Sequence, residues 1–137
     1  MEIKTKISIT NQIPEIEKVC DSVSTFGEEN GLSTKIIFAF HLALDEILTN
    51  IISYGYRDKD EHIIDINLSL QAGALALEIL DDSVPFDPSE APVPDINQPL
   101  EERKIGGLGI YLVKNLMDEV EYKSKDGINR LTLKKKF

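Results

Sequence analysis

The chain opens on a two-residue alternation. Ile3, Thr5, Ile7 and Ile9 face one way and Lys4, Lys6 and Ser8 the other, the pattern of a strand with one buried face. From Pro14 the period changes to about three. Ile13, Ile16, Val19, Cys20, Val23 and Phe26 then lie on one side of a helix, and Gly27 and Gly31 mark its end region. Ser33 is placed to cap a second helix, on which Ile37, Phe40, Leu44, Ile47, Ile51 and Tyr54 recur at steps of three and four. Gly55 stands where a left-handed C-cap would go. After the charged loop 57–61, Ile64, Ile66, Leu68 and Leu70 alternate with Asp65, Asn67 and Ser69. Gln71-Ala72-Gly73 is a turn, and Leu75, Leu77 and Ile79 form one face of the returning strand of a hairpin.

Residues 82–105 break every period. This stretch holds five of the six prolines, and six acids precede its first base, Arg103. A segment this long without regular structure inside a compact domain reads as a functional lid or as disorder. Three of the eight glycines then cluster at 106–109, ahead of the apolar helical pattern of Leu112, Val113, Leu116 and Met117. Val120 and Tyr122 begin another strand, Asp126-Gly127 signals a tight turn, and Leu131 and Leu133 belong to the strand that returns. The order is strand, helix, helix, strand, strand, loop, helix, strand, strand. Without βαβ alternation, this predicts an α+β fold: a two-layer sandwich of a mixed, mostly antiparallel sheet with helices on one face. Residues 1–137 read as a single domain.

Composition narrows the function classes. There are 24 acids against 15 bases, a net charge of −9, which argues against binding nucleic-acid phosphates or an anionic membrane. A single cysteine excludes a disulfide scaffold, and two histidines leave little for a His-based metal centre. No signal peptide and no run of 18 apolar residues is evident, so the chain reads as cytoplasmic.

Three places can carry chemistry. Glu46 and Asn50 are four apart on the long helix, on one face beside the core stripe. A carboxylate there can orient or deprotonate a hydroxyl, and an amide oxygen suits Mg²⁺. Such pairs are also common on solvated helix faces. Asp81 is in phase with Leu75, Leu77 and Ile79, so its carboxylate points inward, where it needs a hydrogen-bond partner. That partner is either a ligand amine or a neighbouring turn. Gly106, Gly107, Leu108 and Gly109 precede a helix whose free N–H groups can meet a phosphate, or they form a hinge. Their spacing is neither that of a P-loop nor that of a dinucleotide fingerprint.

In combination these segments resemble a known family. Asp45-Glu46-Ile47-Leu48-Thr49-Asn50-Ile51-Ile52 is similar to the N box of the superfamily of gyrase, heat-shock chaperone ATPases, histidine kinases and mismatch-repair ATPases. Asp81-Asp82-Ser83-Val84-Pro85-Phe86-Asp87-Pro88 resembles its first glycine box, and Gly106-Gly107-Leu108-Gly109-Ile110-Tyr111-Leu112-Val113-Lys114 its second. The stretch 100–109 and Asn115-Leu116-Met117-Asp118-Glu119-Val120 are similar to the anti-sigma-factor serine/threonine kinases.

The resemblance implies a Bergerat ATP-binding fold, an ATP lid at about 82–105, and ATP and Mg²⁺ as cofactors. It implies Glu46 as general base, Asn50 as Mg²⁺ ligand and Asp81 as acceptor from the adenine amine. Gly106, Gly107 and Gly109, with the backbone at Leu108 and Ile110, would wrap the phosphates. Arg103 or Lys104 would supply charge at the γ-phosphate, and Thr132 would touch adenine or its water. It implies a kinase that phosphorylates an anti-anti-sigma antagonist and sequesters a sigma factor, and it suggests a homodimer.

One position departs from the pattern. Ser83 stands where the D-x-G box has its glycine, and a side chain there would crowd the nucleotide or demand a strained turn. That departure is the basis of a competing expectation, a non-catalytic anti-sigma binding module. A third, the ATP-binding domain of a histidine kinase, lacks a helix pair with a phosphoacceptor histidine. His41 and His62 read instead as structural or solvated.

Overall fold

A computed structural model describes residues 2–87 and 107–137. The elements are β1 (Ile3–Thr10), α1 (Glu15–Glu29), α2 (Thr34–Tyr54), β2 (Ile63–Gln71), β3 (Ala74–Asp81), α3 (Gly107–Leu116), β4 (Glu119–Lys125) and β5 (Ile128–Lys136). The five strands form one sheet in the order β1-β2-β3-β5-β4, and every neighbouring pair is antiparallel. The sheet expected to be mixed is therefore antiparallel throughout its described strands. Most of the expected lid, with Arg103 and Lys104, lies outside the described residues, as does Gly106 beyond it.

Register explains the layers. Ile66 pairs with Ile79, Leu68 with Leu77, Leu77 with Leu133 and Ile79 with Leu131, so one face of three central strands is a continuous apolar floor. Phe40, Leu44 and Leu48, one turn apart on α2, are fully buried against that core. By length and composition α2 could cross a membrane, but its apolar stripe is spent on the sheet, as a core helix requires. The Ser33 hydroxyl accepts from the Ile36 N–H at 3.2 Å and caps α2 as expected. The opposite sheet face is polar. There Asn67 donates to Glu78 at 2.9 Å, and Arg130 pairs with Glu78.

One turn and one histidine behave as the sequence predicts. Asp126 and Gly127 both have positive φ (54° and 81°), the backbone of a tight two-residue hairpin. His41 is structural, its Nε2 lying 3.0 Å from the Cys20 carbonyl and 2.9 Å from the Ser24 hydroxyl.

Gly55 corrects an expectation. Its backbone is right-handed, with φ −84°, so it is not a left-handed cap. A Cβ there would lie 2.5 Å from the Ile51 carbonyl oxygen and 2.7 Å from Ser83 Cβ. Glycine is required by crowding, because the chain leaving β3 presses on the end of α2. The Val84 N–H also donates to the Gly55 carbonyl at 2.8 Å.

Candidate functional site

Asp81 ends β3 opposite Asn129 on β5, and both are nearly sealed from solvent, at 5% and 3% exposure. Alternation puts both on the helix-facing side. Asp81 Oδ1 accepts from the Ser83 N–H at 2.9 Å, from the Ser83 hydroxyl, and from Asn129 Nδ2 at 3.0 Å. No described donor is directed to Oδ2. A buried carboxylate is tolerated only when so bonded, and here one oxygen is satisfied and the other left open.

The same contacts account for Ser83. Among the described non-glycine residues only Asp126 has a positive φ, so Ser83 sits in an ordinary conformation. Its side chain is turned onto Asp81, into room that the missing Cβ of Gly55 leaves. The strained turn expected for a serine here is absent.

The second cluster joins α2 to α3. Asn50 Nδ2 donates to Glu46 Oε1 at 3.2 Å, which commits the nitrogen end of the amide and leaves Oδ1 without a described donor. The Glu46 carboxylate lies over Gly109, and a Cβ built on Gly109 would fall on it. The carboxylate thus rests against the first turns of α3, where helix N–H groups favour negative charge. Gly107 and Leu108 form the start of α3, and the Ile110 side chain is buried in the core, which leaves only its backbone for a ligand.

His62, expected to be structural or solvated, is structural. His62 Nδ1 lies 3.1 Å from both Asp82 carboxylate oxygens, and Nε2 lies 2.8 Å from Asp58 Oδ1. Tyr56 stacks on the ring at 4.3 Å. The clamp ties the loop after α2 to the residue following Asp81. The Asp58 bond, then the Asp82 bond, raise the His62 pKa above its ordinary 6.5. The His62 bond in turn lowers that of Asp58. A raised folded pKa means the His62 contribution is complete below 6.5 and is lost as pH rises through the higher folded value. The melting-temperature gap between wild type and His62→Gln should therefore be widest near pH 5.5 and close toward pH 8.5. Thermal melts across that range check it, and a gap independent of pH would refute the clamp.

Beside this clamp, the Tyr56 hydroxyl is buried without a hydrogen-bond partner among the described residues. Burial, then the charges of Asp81, Asp82 and Asp58, push its pKa up, so it stays protonated. Such an orphan is what a polar ligand or its bound water satisfies.

Thr132 does not join the others. It pairs with Glu78 and Glu121 and lies on the polar face, in a shallow groove with Ser69, Ala76 and Glu121. The two-residue period puts Asn129, Leu131 and Leu133 on the helix side and turns Thr132 away. Asn129 is the polar β5 residue that meets Asp81. The signal that could have found it is the phase of Leu131 and Leu133, the rule already applied to Asp81.

No group of three or more His, Cys, Asp or Glu side chains that could cage a metal occurs among the described residues. Mg²⁺ takes few protein ligands and fills its shell with waters and substrate phosphate oxygens, so Asn50 Oδ1, free among the described residues, is compatible with holding one.

Comparison with known proteins agrees with this geometry. A family model described as the histidine kinase-like ATPase domain matches residues 9–135. The serine/threonine-protein kinase BtrW of Bordetella bronchiseptica is 31% identical over 101 residues, covering 74% of this chain and 71% of that protein. The serine-protein kinase RsbW of Bacillus cereus is 31% identical over 114 residues, covering 76% and 71%. A crystal structure of the RsbU and RsbW domains of a Mycobacterium tuberculosis protein shares the fold, with a TM-score of 0.69 at 14% identity. That alignment covers 98% of this chain, which spans about a third (32%) of the larger one. With a family match running from the end of β1 to the end of β5, the chain belongs to the histidine kinase-like ATPase family.

Proposed function

We propose that the chain is a protein-serine kinase that transfers the γ-phosphate of ATP to a serine of an anti-anti-sigma antagonist and sequesters a sigma factor, as a cytoplasmic regulator. Kinship with serine-protein kinases supports the activity. The observation that carries it is the Glu46 carboxylate, held by Asn50 and seated over Gly109 at the start of α3.

Phosphoryl transfer needs mainly positioning and neutralisation of charge. Glu46 would accept the proton of the attacking serine hydroxyl. Asn50 would turn Oδ1 to Mg²⁺, since its nitrogen is spent on Glu46. When bound, Mg²⁺ supplies charge neutralisation across the phosphates. Asp81 would accept the adenine amine on Oδ2. Gly106, Gly107, Gly109 and the backbone at Leu108 and Ile110 would line the phosphates, with Arg103 or Lys104 at the γ-position. Ser83, which prompted the non-catalytic alternative, sits in an unstrained turn with its side chain bonded to Asp81, which supports the nucleotide-binding reading.

Radiolabelled ATP incubated with the protein and an antagonist protein tests the proposal. Label on an antagonist serine, lost with Asn50→Ala, is the expected result. ATP binding with no transfer would overturn the kinase reading and revive the binding module.

A further inference from the structure

We propose that Asn129 and Tyr122 are positioning residues that aim the Asp81 carboxylate at the nucleobase; this rests on the ATP-binding reading above. The argument runs along a directional chain of hydrogen bonds. The Phe86 N–H can only donate, and it points to the Tyr122 hydroxyl oxygen at 3.1 Å. The hydroxyl hydrogen then goes to Asn129 Oδ1, at 3.0 Å. Ser124 places its hydroxyl 2.7 Å from the same oxygen. With Oδ1 facing two hydroxyls, Nδ2 faces the other way, toward Asp81 Oδ1 at 3.0 Å and the Ser83 carbonyl at 2.8 Å.

The polarity of the network is fixed from both ends, by the Phe86 N–H, which can only donate, and by the Asp81 carboxylate and Ser83 carbonyl, which can only accept. Its consequence is at Asp81. Oδ1 receives every described donor, so the carboxylate is pinned by one oxygen and presents the other. An acceptor held in this way selects a ligand that offers a hydrogen, such as an exocyclic amine, over one that offers a carbonyl. The chain also fastens the backbone at Ser83 and Phe86 to β4 and β5, so the carboxylate and the segment leaving β3 are held as one unit.

The test compares ATP with inosine triphosphate, whose base carries a carbonyl in place of the amine. Affinities are measured for wild type, Asn129→Ala and Tyr122→Phe, the last removing a single oxygen. If the two residues act through Asp81, each variant weakens ATP by about tenfold, the worth of one buried hydrogen bond, and leaves inosine triphosphate unchanged. Equal weakening of both nucleotides, or full retention of the wild-type preference, overturns the inference. Amide hydrogen exchange on the nucleotide-free protein gives a second readout. Tyr122→Phe should speed exchange at Phe86 by about tenfold and leave core amides such as Leu77 unchanged. No change at Phe86 also overturns it. A wild type that binds neither nucleotide refutes the ATP reading, and the exchange measurement then decides the hydrogen-bond chain alone.

Discussion

Glu46→Gln is expected to lower phosphotransfer to the antagonist by about 10²–10⁴-fold, the usual contribution of a general base. Glutamine is nearly isosteric, and its amide oxygen can still accept the 3.2 Å bond from Asn50. It cannot take a proton from the attacking hydroxyl. ATP affinity should therefore change little while the transfer rate collapses. Initial rates of label transfer, set beside a calorimetric ATP titration, separate the two. A variant that transfers at the wild-type rate would remove Glu46 from the chemistry.

Gly109→Ala should produce a comparable loss of transfer by a different route. In a helix this change ordinarily stabilises by about 0.5–1 kcal/mol, because glycine loses more backbone entropy on folding. Here the new methyl would land on the Glu46 carboxylate. That group is the far end of a flexible side chain, so it can swing aside without unfolding anything. Stability should stay within about 1 kcal/mol of wild type, while the carboxylate leaves its seat over α3 and the Asn50 bond is broken. Urea unfolding and transfer rates measured on one preparation check the dissociation. Intact stability with intact transfer would show that Glu46 works from some other position.

These two residues also show what was legible before the fold was known. Glu46 and Asn50 are related by helical period, so their shared face follows from local geometry alone. Asp81 was legible by strand phase, because a carboxylate in step with Leu77 and Ile79 has to point inward. The same phase distinguishes Asn129 from Thr132, since Leu131 and Leu133 fix which side of β5 faces the helices.

Other features had no local signal. Gly55 looked like a cap because it ends a helix, whereas its need arises from crowding between the Ile51 carbonyl and Ser83, the latter 28 positions later in the chain. His62 read as structural or solvated, and which of the two holds depends on its partner Asp82, which lies at another strand's end. The glycines at 106–109 were legible as a cluster, but Gly109's contact with Glu46 depends on α3 packing beside α2.

By itself the amino-acid sequence determined the element order, the buried stripe of each element and the polar residues that interrupt those stripes. It could do so because these follow from periods of two and of about three and a half, which a chain carries wherever it folds. The tertiary structure alone decided which interruptions meet. Asp81 reaches Asn129 only because β3 and β5 pair in that register, and Glu46 reaches Gly109 only because two helices share one face of the sheet. Hydrogen bonds and close contacts act over a few ångströms, so a site built from distant segments exists only after the strands have paired and the helices have packed.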